Sequence, residues 1–190
     1  EEYTLVAVSD YILSNNKGAT VSNLSSSRAL RDLTRKHKCE YAASAVGEVN
    51  VVEKMKSLRA VIGGEGNGGI IYPELHYGRD ALVGIALFLS HMAISKKSAL
   101  ELRSEYPVYY MSKNKIQLTE GKDPDDVLSQ VLARYENNDP ITIDGVKIDF
   151  EDSWVHLRKS NTEPIIRIYS EAKSADEAET LAKRFMKEMS

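Results

Sequence analysis

The chain has one cysteine and one tryptophan in 190 residues, and its formal net charge at pH 7 is only −3. A lone Cys39 excludes an internal disulfide and fits a reducing compartment. As an unpaired thiol it is expected to sit buried, as a small apolar residue. His37 lies two positions before it, but no second Cys/His pair follows to complete a zinc site. No basic-then-apolar leader opens the sequence, and the longest apolar stretch, Ala81 to Leu89, is too short to span a bilayer. Gly-Lys-Ser/Thr is absent, which removes a P-loop, and no Asp-x-Asp-x-Asp run occurs. A slightly acidic chain without paired surface aromatics has nothing to gather a nucleic acid. These absences leave a cytoplasmic protein that binds neither membrane nor nucleic acid.

What charge there is lies unevenly. Up to Ser104 the chain carries 13 Lys and Arg against 11 Asp and Glu, and after it 12 against 17. Within that acidic second part Arg158, Lys159 and Arg167 lie close together. A cationic spot on an acidic body suits one small anion better than a long polyanion.

The pattern of elements divides in two. Thr4 to Leu13 reads as helix at once, with no initiator methionine before it, so the chain is expected to be a trimmed piece of a longer protein. Strand-like Ala19–Leu24, Tyr41–Ala45 and Arg59–Ile62 alternate with helices. The first helix carries Leu30 and Leu33, with Ser25 or Ser26 as its cap, and the second spans Val49–Leu58. Short links in a strand–helix–strand order predict parallel pairing with right-handed crossovers. The stretch from Asp80 to Ser95 is apolar nearly all round and is expected to be buried on several sides. Beyond Pro107 the pattern changes to strands through Leu118, then a helix begun by Asp123 and Pro124. Short strands follow at Ile141–Ile143, Val146–Phe150, Trp154–Leu157 and Ile165–Tyr169. A closing helix has Ser174 and Glu177 as a capping box. The expected fold is a three-layer α/β domain with a mostly parallel sheet over 1–97, a linker or hinge over 98–106, and a smaller α+β domain with an antiparallel sheet over 107–190.

Gly63-Gly64-Glu65-Gly66-Asn67-Gly68-Gly69 formally contains G-x-G-x-x-G. The dinucleotide reading requires a helix directly after it, to face the pyrophosphate. Here extended Ile70-Ile71-Tyr72-Pro73 follows, and Glu65 would repel a phosphate. Glycines let a backbone approach a ligand closely, while Glu65 and Asn67 supply acceptors and donors at its edge. A carboxylate beside an amide matches neighbouring sugar hydroxyls; the bland alternative is a simple turn between strands. The second polar turn, Arg158-Lys159-Ser160-Asn161-Thr162-Glu163-Pro164, is rich in donors, and Arg167 returns toward it. A phosphate needs several donors, and arginine meets two of its oxygens at once. A solvated loop satisfying its own backbone is the alternative there.

The run from Arg158 to Arg167 closely resembles the phosphate-binding loop of the α-D-phosphohexomutase superfamily. Gly64-Glu65-Gly66-Asn67-Gly68 resembles its sugar-recognition loop, where many members have Gly-Glu-x-Ser-Gly. GGEGNGG followed by Tyr72-Pro73 and Tyr77-Gly78-Arg79-Asp80 is most similar to phosphoglucosamine mutase-type members, and Ala45-Val46-Gly47-Glu48 fits a family stretch. The resemblance covers the whole chain, as the third and fourth of four domains. It implies an enzyme that interconverts hexose 6-phosphate and 1-phosphate, with glucosamine as the first choice of sugar and glucose or mannose as the alternative. It further implies a phosphoserine in the first domain, a bisphosphate intermediate, and Mg²⁺ held by an aspartate-rich loop in the second. Neither loop is in this chain, so the fragment alone is expected to be inactive and to carry no catalytic or metal-binding residue. By the same resemblance Glu65 and Asn67 bind the sugar, while Arg158, Ser160, Asn161, Thr162 and Arg167 hold the phosphate that does not react. The partners implied are the hexose phosphate and the missing N-terminal domains. Asn67 stands in place of the usual serine, and Gly69 where many members have histidine. A non-catalytic sugar-phosphate-binding module is the competing reading.

Overall fold

The computed structural model describes residues 2–118, 121–160 and 165–189. The chain divides into two compact units, with the division after Val108.

The first unit runs α1 (Glu2–Asn15), β1 (Thr20–Asn23), α2 (Ala29–Lys36), β2 (Tyr41–Ser44), α3 (Glu48–Leu58), β3 (Ile62–Glu65), β4 (Gly69–Ile71), α4 (Ala81–Ser95) and α5 (Ala99–Ser104). Its sheet has the order β2-β1-β3-β4; β1 pairs in parallel with β2 and β3, and β4 folds back antiparallel on β3. The mostly parallel α/β sheet is thus present. Two adjacent glycines show its layering. A Cβ on Gly63 would strike Met55 of α3 at 2.5 Å, and one on Gly64 would reach Leu5 of α1 at 3.2 Å. Helices therefore lie against both faces, as parallel sheets require.

Several expectations need correction. The expected strand Arg59–Ile62 is displaced, because Arg59 closes α3 in a left-handed conformation (φ 50°) and the strand starts at Ile62. Cys39 is half-buried, its thiol directed at the His37 carbonyl. The helix enclosed on many sides is α1, where Leu5, Val6, Ala7, Val8, Ser9, Ile12 and Leu13 are all buried. In α4 only Gly84 is buried, while Leu82 and Ile94 are 78% and 70% exposed. α1 packs on β3, while α4 packs on α1 and meets β4 through Gly84, whose absent Cβ would lie 2.9 Å from Ile70. Within residues 98–106 a short linking helix at Ser98–Arg103 is also expected from the sequence, and α5 is found there, started by a Ser98–Glu101 capping box, with Leu102 and Tyr106 buried.

The second unit runs β5 (Tyr110–Gln117), α6 (Pro124–Arg134), a 3₁₀ turn at Glu136–Asn138, β6 (Val146–Asp149), β7 (Trp154–Lys159), β8 (Ile165–Ala172) and α7 (Ala175–Met189). All pairings in its sheet, β5-β8-β7-β6, are antiparallel, as expected. Ile141 makes only an isolated bridge to Lys147, so the expected strand Ile141–Ile143 is absent. The expected caps are found: the Asp123 side chain accepts from the Asp125 N–H at 2.9 Å, and Ser174 and Glu177 form a reciprocal pair. Leu157, Ile166, Ile168 and Phe185 anchor a core between the sheet and α6 and α7.

Candidate functional site

The glycine turn is a hairpin between β3 and β4. Gly64 allows the two strands to meet, since a Cβ there would lie 2.0 Å from the Gly69 carbonyl oxygen. Gly68 closes the turn at φ +87°, a conformation that favours glycine. Glu65 ends β3 and is only 6% exposed. Its carboxylate is held by three donors. The Asn23 side-chain amide gives 2.8 Å to Oε1, the Gly47 N–H 3.3 Å to Oε1, and the Arg79 Nη1 3.4 Å to Oε2. Asn67 at the tip is exposed; its Oδ1 accepts the Gly69 N–H at 3.0 Å, which leaves its amide N–H groups outward. Burial brings Glu65 under control of the fold, while Asn67 remains available at the surface.

Two further chains of contacts fix the hairpin. The Gly66 N–H donates to Ser26 Oγ at 2.9 Å, and Ser26 Oγ in turn donates to Asn23 Oδ1 at 3.0 Å. Neither Ser25 nor Ser26 caps α2, whose N-cap residue is Arg28 with no side-chain cap bond. A hydroxyl that could have closed a helix end is instead used by the distant loop. Arg79 lies across the other side. Its Nε donates to Glu48 Oε2 at 2.8 Å and its backbone N–H to Glu48 Oε1 at 2.9 Å. These bonds hold the Glu48 carboxyl below the usual carboxylate range, the backbone bond first and the side-chain bond second. The stem of Arg79 occupies the space a side chain at 69 would need, Cδ lying 2.6 Å from an ideal Cβ there.

In the second unit, β7 delivers Arg158 and Lys159 to opposite faces. Arg158 Nη1 lies 3.4 Å from Asp144 Oδ2, whereas Lys159 Nζ pairs with Asp125 at 2.7 Å. That hydrogen bond raises the Lys159 pKa and ties its charge to α6. Arg158 is directly opposite Arg167 on β8. The Ser160 N–H donates to the Ile165 carbonyl at 3.0 Å. Asn161 and Thr162 lie outside the described residues. Two positions before Arg158, His156 is 2% exposed and its Nε2 is 2.6 Å from the Asp144 carbonyl. Burial first of all pushes its pKa down to about 4, with Lys147 and Arg158 adding to the effect. A neutral His156 therefore donates to Asp144 and pins the turn whose carboxylate faces Arg158.

Comparison with known proteins decides the family. The "Phosphoglucomutase/phosphomannomutase, alpha/beta/alpha domain III" profile matches residues 1–109, and the "Phosphoglucomutase/phosphomannomutase, C-terminal domain" profile matches 115–188. The chain belongs to the phosphoglucomutase/phosphomannomutase family. A phosphoglucosamine/phosphogalactosamine mutase of Sulfurisphaera tokodaii is 37% identical over 169 residues, which is 88% of this chain and 37% of that protein. A phosphoglucomutase/phosphomannomutase of Thermococcus kodakarensis is 38% identical over 178 residues, 92% of this chain and 39% of that one. The solved structure of a phosphoglucomutase/phosphomannomutase family protein from Burkholderia thailandensis gives a TM-score of 0.80 at 22% identity. It covers 99% of this chain and 41% of its own, a likeness of fold. The chain spans well under half the length of these relatives.

Within this phosphohexomutase chain, sequence reasoning gave no site role to Asn23, Ser26, Glu48 or Arg79, although Glu48 and Arg79 lie in stretches that carry the resemblance. Asn23 ends β1 one residue beyond the Ser22–Gly64 pair, level with Glu65, at the carboxyl end of the strand where ligands of open α/β sheets gather; that placement comes from the register of the sheet. Among the described residues no three His, Cys, Asp or Glu side chains are grouped to hold a metal ion. Among them, too, no helix is long and apolar enough to cross a membrane.

Proposed function

We propose that this chain is the substrate-binding part of a cytoplasmic phosphohexomutase that interconverts hexose 6-phosphate and 1-phosphate through a phosphoserine enzyme and a bisphosphate intermediate. The observation that carries the reading is Glu65, a nearly buried carboxylate fixed by Asn23, Gly47 and Arg79. A carboxylate offers about four acceptor positions, so three internal donors leave room for one more, from a sugar hydroxyl or amine. Asn67 adds the exposed amide beside it. Arg158, Ser160, Asn161, Thr162 and Arg167 hold the phosphate that does not react, and binding energy spent there orients the opposite end of the sugar. Such a site accepts the sugar in two flipped poses, which polar contacts tolerate better than a shaped apolar pocket. The phosphoserine and the magnesium ligands belong to the length of the relatives that this chain does not match, so the chain alone is inactive. Glucosamine phosphate is the preferred substrate, in keeping with the name of the Sulfurisphaera relative; glucose or mannose phosphate is the alternative, in keeping with that of the Thermococcus relative.

Arg158→Ala in the complete enzyme is expected to weaken phosphosugar binding by about 2 kcal/mol, more than tenfold, as loss of a charged hydrogen bond does. Isothermal calorimetry with glucosamine 6-phosphate reads this directly, and unchanged affinity rejects the phosphate role. Glu65→Gln is expected to lower kcat/KM more on glucosamine 6-phosphate than on glucose 6-phosphate, because a neutral amide no longer pairs with an ammonium. Equal losses on both sugars would remove Glu65 from sugar selection.

A further inference from the structure

Sheet register shows a feature that the turn sequence does not contain. Arg158 on β7 is directly opposite Arg167 on β8, and Arg167 is directly opposite Lys115 on β5. Three cations thus lie in one row across three neighbouring strands. Alternation puts all three on the face away from the core, since Leu157, Ile166, Ile168 and Ile116 between them point into the packing against α6 and α7. Arg167 and Lys115 are exposed, Arg158 is half-buried, and neither Arg167 nor Lys115 forms an ion pair among the described residues. Lys113 lies two residues along on the same face, with Nζ 5.7 Å from the centre of the Tyr169 ring. Among the described residues the carboxylate paired with this row is Asp144, at Arg158.

Like charges directly opposite one another destabilise a sheet. Two such pairs side by side, in a chain of net charge −3, concentrate positive charge that a bound anion would offset. We propose that Lys115 is a third phosphate-binding cation, forming with Arg167 and Arg158 a platform for the phosphate monoester of the substrate. This rests on the reading of Arg158 and Arg167 given above and extends it to a strand that carries no part of the turn. Strands stand about 4.8 Å apart, so the row is about 10 Å wide, within reach of long side chains converging on one phosphate. The two guanidinium forks take paired oxygens, while the lysine adds a mobile point charge. A dianionic ester is favoured over a carboxylate or a neutral sugar by the same three charges.

The test uses the 190-residue chain and glucose 6-phosphate, with glucose and inorganic phosphate as reference ligands, titrated by nuclear magnetic resonance at low salt. Lys115→Gln is expected to weaken glucose 6-phosphate and phosphate about fivefold, to leave glucose unaffected, and to hold or raise the thermal midpoint, since it relieves the repulsion from Arg167. Lys115→Arg is expected to keep the affinity within about twofold. A lysine with only a structural role would change stability without changing phosphate affinity. Unchanged phosphate binding in Lys115→Gln overturns the proposal. If Arg158→Ala also leaves binding unchanged, or the unaltered chain binds no phosphate at millimolar concentration, the underlying reading falls with it. If Arg158→Ala weakens binding and Lys115→Gln does not, this inference alone fails.

Discussion

Gly64→Ala is expected to destabilise the first unit by about 3 kcal/mol or more, at the upper end of what forced overpacking costs. The added methyl would sit 2.0 Å from the Gly69 carbonyl oxygen, a backbone atom of the paired strand, with Leu5 at 3.2 Å behind it. Neither strand can yield without disturbing Glu65, which follows Gly64 directly and draws its Arg79 and Asn23 partners from separate elements. Denaturant unfolding followed by circular dichroism measures the loss. Gly68→Ala is the control: no atom lies within 4 Å of its Cβ, and only the φ of +87° is strained, so about 1 kcal/mol is expected. Equal effects of the two substitutions would show that backbone conformation, and not close approach of the strands, governs this hairpin.

Lowering the pH is expected to weaken the second unit through His156. Its folded pKa is pushed down to about 4 from 6.5, chiefly by burial. An unfolded chain takes up the proton near the ordinary value while the folded chain does not. Stability is therefore complete above pH 6.5 and is lost progressively as pH falls toward 4, by about 3 kcal/mol in all. The sole tryptophan, Trp154, lies in the same strand and is fully buried with its Nε1 bonded to Glu171, so its fluorescence reports this unit alone. His156→Gln keeps a donor for the Asp144 carbonyl but does not titrate, and is expected to flatten the profile between pH 6.5 and 4.5. A variant whose stability falls as steeply as the parent's in that interval would assign the slope to other groups.

The alternation of strands and helices was readable because short links force parallel pairing, and the closing capping box because its two residues are neighbours in sequence. Glu65 was readable because a glycine run leaves so few side chains to consider. Asn23 was not, since its bond to Glu65 spans 42 residues and depends on which strands become neighbours. Ser26 misled for a related reason: a local rule assigned its hydroxyl to a helix end, and a distant backbone N–H claimed it. The apolar α4 misled in another way. Its periodicity records that it is apolar around its circumference, but which faces are covered depends on its neighbours, here α1 and β4. Lys115 shows the same limit, because a single residue among alternating polar ones acquires meaning only through register.

The passage of Arg79 over Gly69 makes positions 69 and 79 mutually exclusive tenants of one volume. Any side chain at 69 must displace the arginine stem, and with it the guanidinium that bridges Glu48 and Glu65. A homologue with a bulky residue at 69 that moves this arginine leaves its loop carboxylate to the equivalents of Asn23 and Gly47. The residue at 69 thereby sets whether the arginine can lie across the hairpin at all.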